Sequence, residues 1–130
     1  MNSNLKEDLL SILTDELDTY RIILAKTSQQ MNMIRAMDMI GLQSILHEKD
    51  KCINKIETIE KKMSILINQV SHDLFYDRDI LPCLKDIEKT IQAIIKIEEV
   101  CYNKLSELQT GTSEEILQSD KGIHAGALPV

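Results

Sequence analysis

Apolar residues recur along this chain at alternating steps of three and four in three long stretches. The most regular stretch runs Leu42, Ile45, Cys52, Ile56, Ile59, Met63, Leu66, Val70, with Lys49 at the one missing position. That spacing keeps the side chains on one stripe of an α-helix, and sustaining it for so many turns favours packing against partner helices. An earlier stretch has the same rhythm (Leu13, Leu17, Tyr20, Leu24, Met31, Ile34), and a later one repeats it (Leu84, Ile87, Ile91, Ile94, Cys101, Leu105, Leu108). The expected fold is all-α. A long antiparallel helical hairpin carries a third helix packed along it, making a three-helix bundle of coiled-coil character.

The breaks in the rhythm set the boundaries, with helices expected over about residues 4–36, 39–71 and 80–109. At Met37-Asp38-Met39-Ile40-Gly41, Asp38 is a candidate N-cap for the second helix. Met37 and Leu42 stand at the two positions of a hydrophobic staple around it. So short a connection between long helices forces them antiparallel. The segment His72 to Arg78 is a connecting loop with apolar anchors; Asp79 is the expected cap of the third helix, with Pro82 in its first turn. Thr110-Gly111-Thr112 is expected to end that helix. Residues 1–110 then form the helical domain and 111–130 a flexible tail, apart from the Ile116-Leu117 pair.

Placed 100° apart, the apolar residues of the third helix cover an arc of roughly 220°, against roughly 160° for the second. Leu84, Ile87, Ile91, Ile94, Ile95 and Tyr102 lie toward one side; Ile97, Val100, Cys101 and Leu108 extend the other. A hairpin cannot cover so wide an arc. Either the third helix is the central helix of the core, or one flank (Ile97, Val100, Lys104, Leu108) is reserved for another polypeptide. The methionines suggest a second surface, because Met31, Met33, Met37 and Met39 cluster at the hairpin tip. Met-rich surfaces adapt to several apolar partners; otherwise Met31 and Met37 merely fill gaps in the core.

Composition narrows the class. At 130 residues the chain can bury a core unaided, and its aromatic content of 3% leaves Ile, Leu and Met to fill it. Four Gly and two Pro are too few for a many-stranded fold. The net charge of −6, with Lys and Arg interleaved among acids, argues against a nucleic-acid backbone as main partner. Cys52, Cys83 and Cys101 form no CxxC, and two of them lie on apolar stripes, a pattern that fits a reducing cytoplasm. The N-terminus shows no signal-peptide core, and no apolar run approaches the length of a membrane span.

No motif of catalysis or of metal or nucleotide binding is present, so neither an enzyme nor a cofactor is expected. His47, His72 and His124 are scattered, and no Glu-x-x-His pair exists to build a di-iron bundle. His47 projects away from its seam with Lys49 and Lys51 nearby, as in a histidine phosphotransfer domain. The usual His-x-x-Lys-Gly order is absent, however, with Asp50 and Lys51 at those positions.

The first helix, with Leu13-Thr14-Asp15-Glu16-Leu17-Asp18-Thr19-Tyr20 and Ile22-Ile23-Leu24, resembles the start of the FlgN-type flagellar export chaperones. At the hairpin tip Asp38, Leu42, Ile45-Leu46, Glu48-Lys49 and Ile53 are similar to that family's signature. The likeness spans roughly residues 5 to 70, and more loosely the third helix through Asn103; Ser113 to Val130 does not align. The resemblance implies a cytoplasmic chaperone of the flagellar type III export pathway. Its clients would be the C-terminal helical regions of hook-associated junction proteins, which it would keep from early assembly and deliver to the export gate. The recognition mode would be helix-in-groove. A non-flagellar type III secretion chaperone and a coiled-coil adaptor are the competing readings. An adaptor would be expected to continue its heptads farther and pair in parallel.

Overall fold

The computed structural model describes the backbone of residues 2–116 and the side chains of residues 4–109. It contains three long helices, α1 (Asn2–Arg35), α2 (Met39–Ile67) and α3 (Ile80–Ile116), with a short 3-10 helix at His72–Tyr76. No strand occurs among the described residues. All three expected stripes face inward, and each of their residues is buried or half-buried.

The chain runs up, down and up. Leu9, Leu13 and Leu17 at the start of α1 meet Leu66 at the end of α2 and Ile80 and Ile87 at the start of α3. At the other end Met31 and Ile34 meet Leu42 of α2 and Cys101 of α3, with Ile97, Leu105 and Leu108 packed alongside. Between these clusters Ile23 packs against Ile56 and Ile59. The central helix is α1, not α3. The backbones of both α2 and α3 run close along α1, while α2 and α3 meet one another mainly through side chains. Of the two readings of the wide apolar arc of α3, the one that made α3 the central helix of the core does not hold. α1 buries Thr19, Thr27 and Gln30 as well as its apolar stripe. The two threonines satisfy their hydroxyls on the carbonyls of Asp15 and Ile23 one turn back, at 2.8 and 2.7 Å. Thr then behaves as a small core residue despite its polar atom.

The tight connection at residues 36–38 has a definite chemistry. Asp38 N–H donates to the Met33 carbonyl at 2.9 Å and Met37 N–H to the Ile34 carbonyl at 3.0 Å, the paired bonds of a Schellman motif. Met37 therefore sits in the left-handed region, at φ 57°, where glycine is the usual occupant. The Asp38 carboxylate accepts from Gly41 N–H at 2.9 Å, so it caps α2 as expected. A Cβ at Gly41 would stand 2.6 Å from that carboxylate and 2.7 Å from Met33 Sδ, which is why glycine fits there. The staple does not form, since Met37 is 67% exposed while Leu42 is buried.

The second connection is anchored by Leu74 and Phe75, which pack onto the lower core. The cap of α3 is Asp77 rather than Asp79. Its Oδ1 accepts from the N–H groups of Asp79 at 2.7 Å and Ile80 at 3.4 Å. The backbone N–H of Asp79 and, less strongly, the Lys6 ammonium hold the Asp77 carboxyl below its ordinary range. Asp79 instead meets Lys6 at 2.9 Å, and Asp77 lies 3.2 Å from the same ammonium, tying the start of α1 to the start of α3. Two boundaries differ from expectation. α2 ends at Ile67 rather than near residue 71, and α3 continues through Thr110-Gly111-Thr112 to Ile116. One glycine costs a helix only about 1 kcal/mol relative to alanine, which is not enough to stop it. The remainder of the expected tail, residues 117–130, lies outside the described residues.

Two substitutions at the first connection should act in opposite directions. Asp38→Ala removes the cap and should cost about 0.5–2 kcal/mol in thermal or denaturant unfolding. Met37→Gly relieves the left-handed backbone and should gain about 1 kcal/mol. A loss with Met37→Gly would mean that the Met37 side chain contributes more to folding than its exposure suggests.

Candidate partner-binding surface

Lys49 interrupts the apolar stripe of α2, and the structure shows why the interruption is tolerated. The Lys49 side chain, only 9% exposed, donates from Nζ to Gln30 Oε1 of α1 at 2.8 Å. It also forms a close ion pair with Glu98 of α3. Glu98 fills the gap between Ile94 and Cys101 in the stripe of α3, and Thr27 fills the gap between Leu24 and Met31 in that of α1. All three helices thus share a polar layer in the half of the bundle nearer the first connection. Cys101 borders this layer, and burial together with the Glu98 carboxylate pushes its thiol up. Cys52, Cys83 and Cys101 are free thiols.

The flank expected to bind a partner is not one surface. Ile97 and Leu108 pack against the cluster of Met31, Ile34, Leu42 and Cys101. Val100 is 49% exposed, and Lys104 lies 4.0 Å from Glu107 on its own helix. The methionine cluster is divided as well. Met33 packs against the upper core, whereas Met37 and Met39 are exposed beside Ile40. His47 is exposed on α2.

A different apolar surface emerges from the splay of α2 and α3. Ion pairs between Lys26 and Glu48 (2.7 Å) and between Asp15 and Lys55 (3.4 Å) close one edge of the α1–α2 seam. The opposite edge of α2 carries Met39, Leu46, Ile53 and Ile67, spaced by multiples of seven and all more than 40% exposed. Leu46 and Ile53 stand three before and four after Lys49. Ile95 and Tyr102 stand in the same relation to Glu98, and both are exposed. Helical spacing therefore sets these two edges on either side of the Lys49–Glu98 bridge. Ile95, Glu98, Glu99, Tyr102 and Asn103 line an open depression on α3. These edges were missed in the sequence because exposure on α2 looked no different from ordinary helix surface. The signal available was the matched gap at Lys49 and Glu98, which fixes how the edges face.

Two carboxylates, one on α1 and one on α2, repel each other. Glu16 of α1 has its carboxyl raised above the ordinary range, first by desolvation and then by repulsion from Glu60 of α2. Tyr20, one turn on, is raised by burial and by both acids. Among the described residues no group of His, Cys, Asp and Glu is arranged to hold a metal ion, and no helix is long and apolar enough to cross a membrane. No known family model, curated protein or solved structure matches this chain.

The polar layer makes a stability prediction that is asymmetric between its partners. Glu98→Leu strands the more buried Lys49 and should cost about 3 kcal/mol. Lys49→Met leaves Glu98, which can turn toward solvent, and should cost about 1–2 kcal/mol. Both changes together should recover most of the loss in urea unfolding, because a well-packed apolar pair can replace a buried ion pair. Additive losses would show that the two side chains act independently.

Glu16 sets a pH dependence of known sign. Its folded-state pKa is raised, so the native protein holds this proton more tightly than the unfolded chain. Ionising Glu16 as pH rises through the folded value therefore removes stability. Glu16→Gln should raise the melting temperature at pH 7, and the gain should disappear below the ordinary glutamate range. A gain that persists at low pH would point to packing instead of charge.

Proposed function

We propose that this chain is a helical protein-binding chaperone of the FlgN type, receiving the C-terminal helical region of a flagellar junction subunit in the cleft between α2 and α3. The observation that carries this reading is the pair of exposed apolar edges, Leu46 and Ile53 on one side and Ile95 and Tyr102 on the other. A three-helix arrangement in which both outer helices pack on the central one has room for a fourth. An amphipathic helix laid there would bury its apolar stripe against those edges instead of against its own kind. Such shielding is the physical content of preventing premature assembly. The likeness at Asp38, Leu42, Ile45-Leu46, Glu48-Lys49 and Ile53 supplies the family; two of those residues, Leu46 and Ile53, lie on the cleft edge. Met37 and Met39 extend the exposed apolar surface to the hairpin tip, where the left-handed Met37 holds its side chain in solvent. In this role the protein works in the cytoplasm, requires no cofactor, catalyses no reaction and hands its client to the export gate.

Calorimetric titration with the purified C-terminal segments of junction subunits from the same cell tests the proposal. One-to-one binding is expected, with the double change Leu46→Asp and Ile95→Asp weakening it by about tenfold or more while the helical circular dichroism is kept. Absence of binding, or binding indifferent to both changes, would contradict the assignment.

A further inference from the structure

The first connection separates two helices that are in phase with one another. Met37 is the one described residue with a positive φ, at 57°, a conformation unfavourable to methionine. Residues 35–40, Arg-Ala-Met-Asp-Met-Ile, include neither glycine nor proline, and most of them favour helix. The apolar stripes on either side repeat at an interval of eleven residues, from Met31 to Leu42 and from Ile34 to Ile45. That interval is three helical turns to within about 20°. Thr27, Asp38 and Lys49 keep the same spacing. Straightened through residues 36–38, α1 and α2 become a single helix from Asn2 to Ile67 with both sets of buried residues on one face.

We infer that the hairpin opens at residues 36–38 to exchange α1 with a second copy of this chain, giving a two-fold dimer in which two such helices lie antiparallel. Each α1 then packs on the α2 and α3 of the other copy. It recovers the contacts of the closed hairpin, Gln30 to Lys49 and Lys26 to Glu48 included. The two forms share these contacts and differ at the hinge, so exchange needs little new surface. A short hinge under strain favours it. The chain also carries a guard against it. The seam brings Ile34 beside Leu42 and Gln30 beside Lys49, so the two-fold axis falls close to Asp38. On the opened helix Asp38 stands in the apolar face opposite its own copy, where two carboxylates repel in apolar surroundings. In the hairpin the same carboxylate caps α2 by accepting from Gly41 N–H. Asp38 thus favours the closed monomer twice over, while the left-handed Met37 opposes it. Met37 and Met39, exposed at the tip, come to flank the apolar face on either side of Asp38, where the second copy crosses them. The inference concerns the hinge and stands whether or not the α2–α3 cleft holds a client.

The test refolds an equimolar mixture of light and heavy-isotope-labelled full chains from urea at about 0.5 mM and separates monomer from dimer by size-exclusion chromatography with light scattering. Relative to the wild-type chain, Asp38→Leu should raise the association constant about tenfold or more. Asp38→Asn, which keeps a capping side chain, should give a smaller rise. Adding Met37→Gly to Asp38→Leu should reverse most of the gain, because glycine favours the turn and weakens the continuous helix. Carbodiimide then joins Lys26 to Glu48, 2.7 Å apart across the seam, and mass spectrometry of the dimer fraction reads which chains are linked. In the exchanged dimer about half of these links connect a light chain to a heavy one, as random pairing requires. Links confined to one isotope would mean a dimer of closed hairpins and would overturn the inference. So would an Asp38→Leu chain that stays monomeric at this concentration, or a dimer that Met37→Gly leaves unchanged.

Discussion

One buried cation ties all three helices of this bundle together. Lys49 is the point at which the second helix touches both others by hydrogen bond, through Gln30 on one side and Glu98 on the other. An apolar seam by itself tolerates slippage, because one Ile or Leu substitutes for the next a heptad away at little cost. A lysine buried at one seam position does not. Displaced by a heptad, it would lose both partners and face Ile or Leu, at a cost of several kcal/mol. The apolar stripes supply the driving force, and the polar layer removes the alternatives.

With register set there, the splay of the outer helices has a consequence for function. Placing α1 at the centre lets α2 and α3 each bury their stripes without bringing their own backbones close together. The edge positions of both outer helices then remain exposed, and apolar residues occupy them seven residues apart, as at Leu46 and Ile53 and at Ile95 and Tyr102. Glu16 and Tyr20 on the central helix are half-buried, and burial together with neighbouring acids disfavours ionising either of them.

How far the sequence revealed this differs from element to element. The helices, the antiparallel hairpin and the Asp38 cap were legible because each rests on local physics: periodicity for the first, connection length for the second, a side chain reaching three residues on for the third. The central position of α1 was not legible. Its second buried face consists of Thr19, Thr27 and Gln30, residues that count as polar until their hydrogen bonds are known. The cap of α3 was misplaced by two residues because Asp77 and Asp79 are both suitable acids, and both also pair with Lys6, 71 residues before Asp77 in the chain. For the partner surface, the sequence showed that α3 carries surplus apolar area but not which edge holds it. Ile97 and Leu108 were absorbed by the core at Met31 and Ile34, and Ile95 with Tyr102 stayed outside.

The central claim is that the Lys49–Glu98 bridge fixes the register and separation of α2 and α3 on α1. Pulsed electron spin resonance between spin-labelled unnatural amino acids at the exposed positions Asn54 and Lys96 measures this directly and leaves the native cysteines in place. The intact chain should give a single narrow distance distribution. The apolar replacement, Lys49→Met with Glu98→Leu, should broaden it or add a second population even where overall stability is preserved. An equally narrow, unshifted distribution in that variant would show that the apolar seams alone set the register, and the account would be wrong at its foundation.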